Sequence, residues 1–182
     1  MESDTQGSSE RSAPPSLLHL DVGGTATLSF DWASRLRGER WLLAQAGKPV
    51  GMLERTAGRA ALRTASEEWL GGLRRRPRRL GWQLYFKQAG KLALEYQPST
   101  LRSGGHLVTF DRDRYRLRHS LLGAYWKLAD VPGGEICRFR RSDPRHVDVQ
   151  LAFVEPMLLV VVLAASEAIL IHASQVSGGG GA

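Results

Sequence analysis

"PMLLVVVLAASEAILIHAS", Pro156 to Ser174, is apolar on every side of a helical wheel except near Glu167 and His172. Proline suits the first turn of a helix, and Glu155 lies favourably beside the N-terminal end of the helix dipole. A helix with no polar face is either buried in a core or crosses a bilayer. A span needs about 20 apolar residues. The apolar run from Met157 to Ala173 is shorter, and Glu167 stands well inside it, where a carboxylate in lipid is costly. The β-branched run Val160 to Val162 also fits a strand, but the length of the stretch favours a helix. The expectation is therefore a core helix over about residues 156–174. Its one carboxylate should sit near an end of the core and be paired to an arginine.

Upstream the pattern has a period of two. Arg114, Arg116 and Arg118 alternate with Tyr115, Leu117 and His119; Val147, Val149, Leu151 and Phe153 alternate with His146, Asp148 and Gln150; Trp82, Leu84 and Phe86 alternate with Gln83, Tyr85 and Lys87. Strand side chains point to opposite faces in turn, so these runs predict sheets with one dry and one wet face, an antiparallel trait. Glycine-bearing bends separate the runs. "WLLAQAGKPVGMLER" (Trp41 to Arg55) and "LYFKQAGKLALEY" (Leu84 to Tyr96) share Gln-Ala-Gly-Lys at the bend, and "YWKLADVPGGEICRFRR" (Tyr125 to Arg141) turns through Val-Pro-Gly-Gly. Each reads as a hairpin. The shared tetrapeptide is either a faint internal repeat or a coincidence. The pattern predicts about a dozen short strands between Leu17 and Phe153, which fits a sandwich or a barrel.

The chain has 182 residues, enough for one domain with a substantial core. Residues 1–15 are rich in Ser, Pro and charge and read as a disordered tail, and 177–182 ("SGGGGA") as a flexible one, leaving a single domain over 16–176. The N-terminus lacks the basic and apolar regions of a secretory signal, and Cys137 alone allows no internal disulfide. A cytoplasmic location, peripheral to a membrane at most, is the expectation. The net charge of +7 invites an anionic partner. Only Lys48, Lys87, Lys91 and Lys127 of the 25 basic residues are lysine, however, which is what a GC-rich genome produces whatever the function.

A dozen short strands followed by one hydrophobic helix resembles the tubby C-terminal-like superfamily, which includes tubby domains, phospholipid scramblases and the LURP-one-related proteins with their bacterial relatives. The resemblance rests on "YRLRHSLLGAYWKLADVPGGEICRFRR", "HVDVQLAF" and "PMLLVVVLAASEAILI", and it extends over about Leu17 to Val176. It implies a mainly β fold: a closed antiparallel barrel of about twelve strands enclosing a C-terminal hydrophobic helix. Alternation alone fits an open sandwich equally well. The resemblance also implies a non-enzymatic protein whose partner is an anionic membrane surface or phosphorylated lipid.

Few residues point to chemistry. "LRRRPRRLGW" places Arg74, Arg75, Arg76, Arg78 and Arg79 around Pro77, and guanidinium forks pair well with phosphate oxygens. This loop is the candidate anionic-ligand site, against the plain reading of a solvated loop. The face of Arg114, Arg116 and Arg118 extends it if Arg138 and Arg140 lie alongside. Nucleic-acid binding, the alternative, wants aromatics among the basic residues on one face, whereas Trp82 and Tyr85 fall on opposite faces. "LDVGGT" (Leu20 to Thr25) resembles the phosphate loop of sugar kinases, but those enzymes need two lobes and a longer chain. A hairpin turn at Gly23-Gly24 is the simpler reading. The five histidines lack metal-site spacing, Cys137 has no neighbouring ligand, and no Gly-x-Ser-x-Gly elbow is present. No metal or cofactor is expected, and a small enzyme remains the weakest alternative.

Overall fold

In a computed structural model the chain describes residues 17, 24–31, 38–56, 58–75, 82–99, 104–120, 124–151 and 156–178. The side chains of residues 75, 156–157 and 175–178 are not among those described. Twelve strands precede one helix: β1 (Gly24–Phe30), β2 (Glu39–Gln45), β3 (Lys48–Thr56), β4 (Arg59–Thr64), β5 (Glu68–Arg75), β6 (Trp82–Gln88), β7 (Lys91–Pro98), β8 (Gly104–Thr109), β9 (Arg114–Ser120), β10 (Tyr125–Asp130), β11 (Glu135–Asp143), β12 (His146–Leu151) and α1 (Pro156–Gly178). Each strand pairs antiparallel with its sequence neighbours, and β1 closes on β12, so the sheet is a barrel with no free edge. The barrel and the enclosed helix match the expected fold, and closure decides between the two architectures that alternation allowed.

The expected tails over residues 1–15 and 179–182, and Glu155, lie outside the described residues, as do Asp21 and Gly23 of the LDVGGT segment. Gly24 opens β1 with φ +117° opposite Leu151. The helix runs to Gly178, beyond the expected end near residue 174, so Ser177 and Gly178 belong to it. Gln175, Val176 and Ser177 contain no residue that breaks a helix, and glycine is a natural place for one to stop.

Both Gln-Ala-Gly-Lys bends form the same turn. Ala46 and Gly47 have φ of 49° and 74°, Ala89 and Gly90 have 48° and 81°, and Gln45 and Gln88 pair with Lys48 and Lys91 across two-residue loops. Two positive φ angles define the type I′ turn, whose twist matches that of the strands. In each hairpin the register then slips by one residue: Ala44 faces Pro49 but Leu43 faces Gly51, and Lys87 faces Leu92 but Phe86 faces Leu94. The β10–β11 hairpin repeats the slip, with Ala129 opposite Glu135 and Leu128 opposite Cys137, although its loop is longer and is held by Asp130 Oδ1 accepting from the Gly133 and Gly134 amides (2.8 and 2.5 Å). The bulged residues are Val50, Ala93 and Ile136. A fourth slip, between Arg141 and Asp143, bulges the β11–β12 hairpin; the other three bulged hairpins lie four strands apart and divide the barrel into three similar four-stranded units. The shared tetrapeptide occupies the equivalent turn in the first two of these units.

The helix fills the bore. Every residue from Leu159 to Ile171 is buried, and the helix packs against β3, β4, β7 and β10. A barrel of about eight strands is filled by its own side chains, whereas twelve leave room for a helix about 10–12 Å across. Small side chains ease the fit. Ala164, Ala165 and Ala168 are fully buried on the helix, and a Cβ at Gly51 would lie 3.2 Å from Leu163. Alternation places Leu28, Leu43, Leu53, Leu62, Leu84, Leu107, Leu117 and Val149 inward, and charged residues outward. That polarity is the reverse of a transmembrane barrel. No described helix is long and apolar enough to cross a membrane.

Glu167 is the helix's one charge in this core, 4% exposed, and as expected it has an arginine partner. Arg55, near the end of β3, donates from Nε to Oε1 at 3.1 Å and lies 2.9 Å from Oε2, off the hydrogen-bond axis; Glu39 of β2 holds Arg55 Nη1 at 2.7 Å. Burial pushes the Glu167 carboxyl up to about 7 despite Arg55. A carboxyl raised in the fold contributes stability that is complete below its unfolded value and lost as pH rises through the folded one. The unfolding free energy from urea titrations should therefore fall between pH 4.5 and pH 7–8, by about 1–3 kcal/mol. Glu167→Gln should flatten that dependence and be the more stable protein at pH 8. Gly71→Ala tests the close packing of β5 on β6. Its Cβ would strike the Tyr85 carbonyl and come 2.6 Å from the Phe86 ring, so a loss of about 2–4 kcal/mol in urea unfolding is expected.

Candidate functional site

β9 carries arginine at three successive outward positions, Arg114, Arg116 and Arg118, while Tyr115 and Leu117 between them complete the core. Successive outward side chains on a strand are about 6.7 Å apart. Across the ladder Arg118 faces Lys127 of β10, and Lys127 faces Arg138 of β11, so the sheet draws three strands' cations into one row. Arg116 faces Ala129, which faces Glu135. Arg140 lies one pair from Arg138 on the same outer face, opposite Tyr125. Arg138 and Arg140 therefore flank the β9 arginines as expected, with β10 between them.

Glu135 is the principal acid in the patch. Lys127 Nζ lies 3.0 Å from it, Arg138 Nη2 donates to it at 3.0 Å, and Arg138 also lies over the Tyr125 ring with 5.5 Å to its centroid. Burial pushes the Glu135 carboxyl up, but the hydrogen bonds from Arg138 and Lys127 outweigh it and hold the group below its ordinary value. Arg114, Arg116 and Arg118 form no ion pair with a described residue. Their field registers on His106 of β8, which faces Arg116: partial burial, then the charges of Arg116, Arg118 and Arg114, lower its pKa. The same three positive charges favour an anion at this face.

The loop singled out in the sequence is only partly placed. Arg74 ends the outer face of β5, exposed, with its guanidinium 5.2 Å from the centroid of the Tyr85 ring. The backbone of Arg75 closes β5, and Arg76, Arg78 and Arg79 lie outside the described residues. β6, β7 and β8 separate Arg74 from the β9 face, with Glu95 on the outer side of β7. Trp82 turns inward beside Tyr96 (5.3 Å) while Tyr85 faces out, as alternation predicts. Lys127 and Glu135 were not legible as site residues. Each stands alone in its strand, and only the register sets them beside the arginines.

The interior offers little chemistry. Where the helix leaves the barrel, Trp82, Tyr96 and Trp126 surround His172, and Tyr96 Oη is hydrogen-bonded to His172 Nε2 at 2.9 Å. Burial, with a smaller contribution from His119, lowers the His172 pKa and so favours the neutral ring in its aromatic cluster. Burial pushes the Cys137 thiol up and keeps it unreactive. Among the described residues no group of three or more His, Cys, Asp or Glu side chains is placed to hold a metal ion. Comparison with known proteins adds no assignment: no family model, no curated protein and no solved structure matches this chain.

Proposed function

We propose that this barrel is a non-enzymatic binding protein that docks on an anionic phospholipid surface through the outer face of β9–β11, with the Arg74–Arg79 loop as a second basic contact. The observation that carries the reading is the run of three arginines on β9 that form no ion pair with a described residue, widened by Lys127 and Arg138. Clustered side chains that pair with no acid among the described residues are available to phosphate oxygens, which guanidinium groups bind in a planar fork. The net charge of +7 adds a long-range attraction of the same sign. The enclosed terminal helix and the meander order of the strands support kinship with tubby-like barrels, and peripheral membrane placement is part of the same proposal.

Sedimentation with vesicles tests it. Binding should require anionic lipid and weaken steeply with salt, and equal binding to neutral vesicles overturns the proposal. Each basic residue near a charged bilayer contributes about 1 kcal/mol, so replacing Arg114, Arg116 and Arg118 by Gln should weaken binding roughly a hundredfold. Replacing Arg74 to Arg79 by Gln measures the loop separately, and no change there reduces it to a solvated loop. Binding to single-stranded DNA with the same dependence on the β9 arginines, in the absence of vesicle binding, would move the assignment to nucleic acid.

A further inference from the structure

The three units are not equivalent at the end of the barrel where the helix begins. In the β2–β3 and β10–β11 hairpins the bulged residue is large and buried, Val50 at 3% and Ile136 at 6% exposed. In β6–β7 the same place holds Ala93, and a cleft of about 380 Å³ opens there, walled by Trp69, Leu92, Ala93 and Phe110 with Lys91 and Asp111 at its rim. The same unit departs in the opposite sense one turn later. The β4–β5 and β8–β9 turns are both held by a threonine hydroxyl, Thr64 to the Glu67 amide and Thr109 to the Asp113 amide, each at 3.2 Å. The residue after the threonine is Ala65 in the first turn and Phe110, 74% exposed, in the second.

We infer that this cleft is a self-association site, in which Phe110 of one copy enters the cleft of a second copy across a two-fold axis. A two-fold interface must be self-complementary, each copy supplying both the projection and the recess. Here one unit supplies both, by being small where its siblings are large and large where a sibling is small. The charges obey the same rule. Lys91 and Asp111 line one cleft without pairing to each other or to another described residue, and a two-fold axis brings Lys91 of each copy to Asp111 of the other. Leu92 and Leu70, 49% and 57% exposed, stand on either side of the exposed Lys87 in one cross-strand row beside the cleft.

Sedimentation velocity of the full chain over micromolar concentrations should show a monomer–dimer equilibrium. Phe110→Asp, at an exposed turn, and Ala93→Ile, which gives β6–β7 the residue β11 already carries, should each yield monomer with unchanged circular dichroism and melting temperature. Should Ala93→Ile unfold, Phe110→Asp carries the test alone. Lys91→Asp and Asp111→Lys should each raise the dimer dissociation constant at least tenfold, and the double exchange should restore it. A wild-type monomer at every concentration overturns the inference, as does a dimer that ignores Phe110→Asp, or single reversals whose effects add in the double exchange. Anionic-vesicle binding by the Phe110→Asp monomer separates this site from the arginine face. If that variant loses vesicle binding while the wild type sediments as monomer, the cleft contacts lipid and the dimer is excluded.

Discussion

A helix with no polar face imposes the central constraint on this molecule. It has to be surrounded, and the surrounding wall has to satisfy its own backbone hydrogen bonds without leaving an edge. A closed sheet meets both demands, and only a sheet of about twelve strands has a bore as wide as a helix. Helix and barrel therefore depend on each other: without the helix the inward leucines would line an empty tube, and without the barrel the helix would have no solvent it could tolerate. Apolar packing is nondirectional, so it sets neither the depth nor the rotation of a smooth helix in a smooth bore. The contact between Glu167 and Arg55 and the hydrogen bond between Tyr96 and His172 are directional and help to set both.

Burying the Glu167 carboxyl has a thermodynamic cost, visible in its upward displacement to about 7, which Arg55 offsets only in part. The ion pair is thus better understood as a specificity device than as a source of stability. It lies where the helix nears the barrel mouth, close enough to the surface for Glu39 to share Arg55. Farther along the helix burial favours the neutral ring of His172 among its aromatic neighbours.

The threefold repeat explains how one chain obtains a wide, closed sheet from short strands. Each unit contributes a bulged hairpin, and bulges increase local twist and bend the sheet, which is what closure requires. A repeat also gives functional departures a background against which they stand out. The basic face belongs mainly to the third unit, where β9 carries outward arginines, and the open cleft to the second. The two surfaces lie on different parts of the wall, so charge and apolar contact are available to separate partners.

Sequence by itself determined the local features of this protein. The period-two runs marked the strands and their inward residues correctly at β6, β9 and β12, Gln-Ala-Gly-Lys marked two tight turns, and the apolar stretch after Pro156 marked a core helix whose lone carboxylate needed an arginine. These follow from geometry within a few residues, which neighbouring positions encode directly. The identity of that arginine, the closure of β1 on β12, the row formed by Arg118, Lys127 and Arg138, and the cleft left by Ala93 were decided by tertiary structure alone. Each depends on which residues of distant strands share a register, and a one-residue slip at a bulge, which no local pattern announces, changes every pairing beyond it.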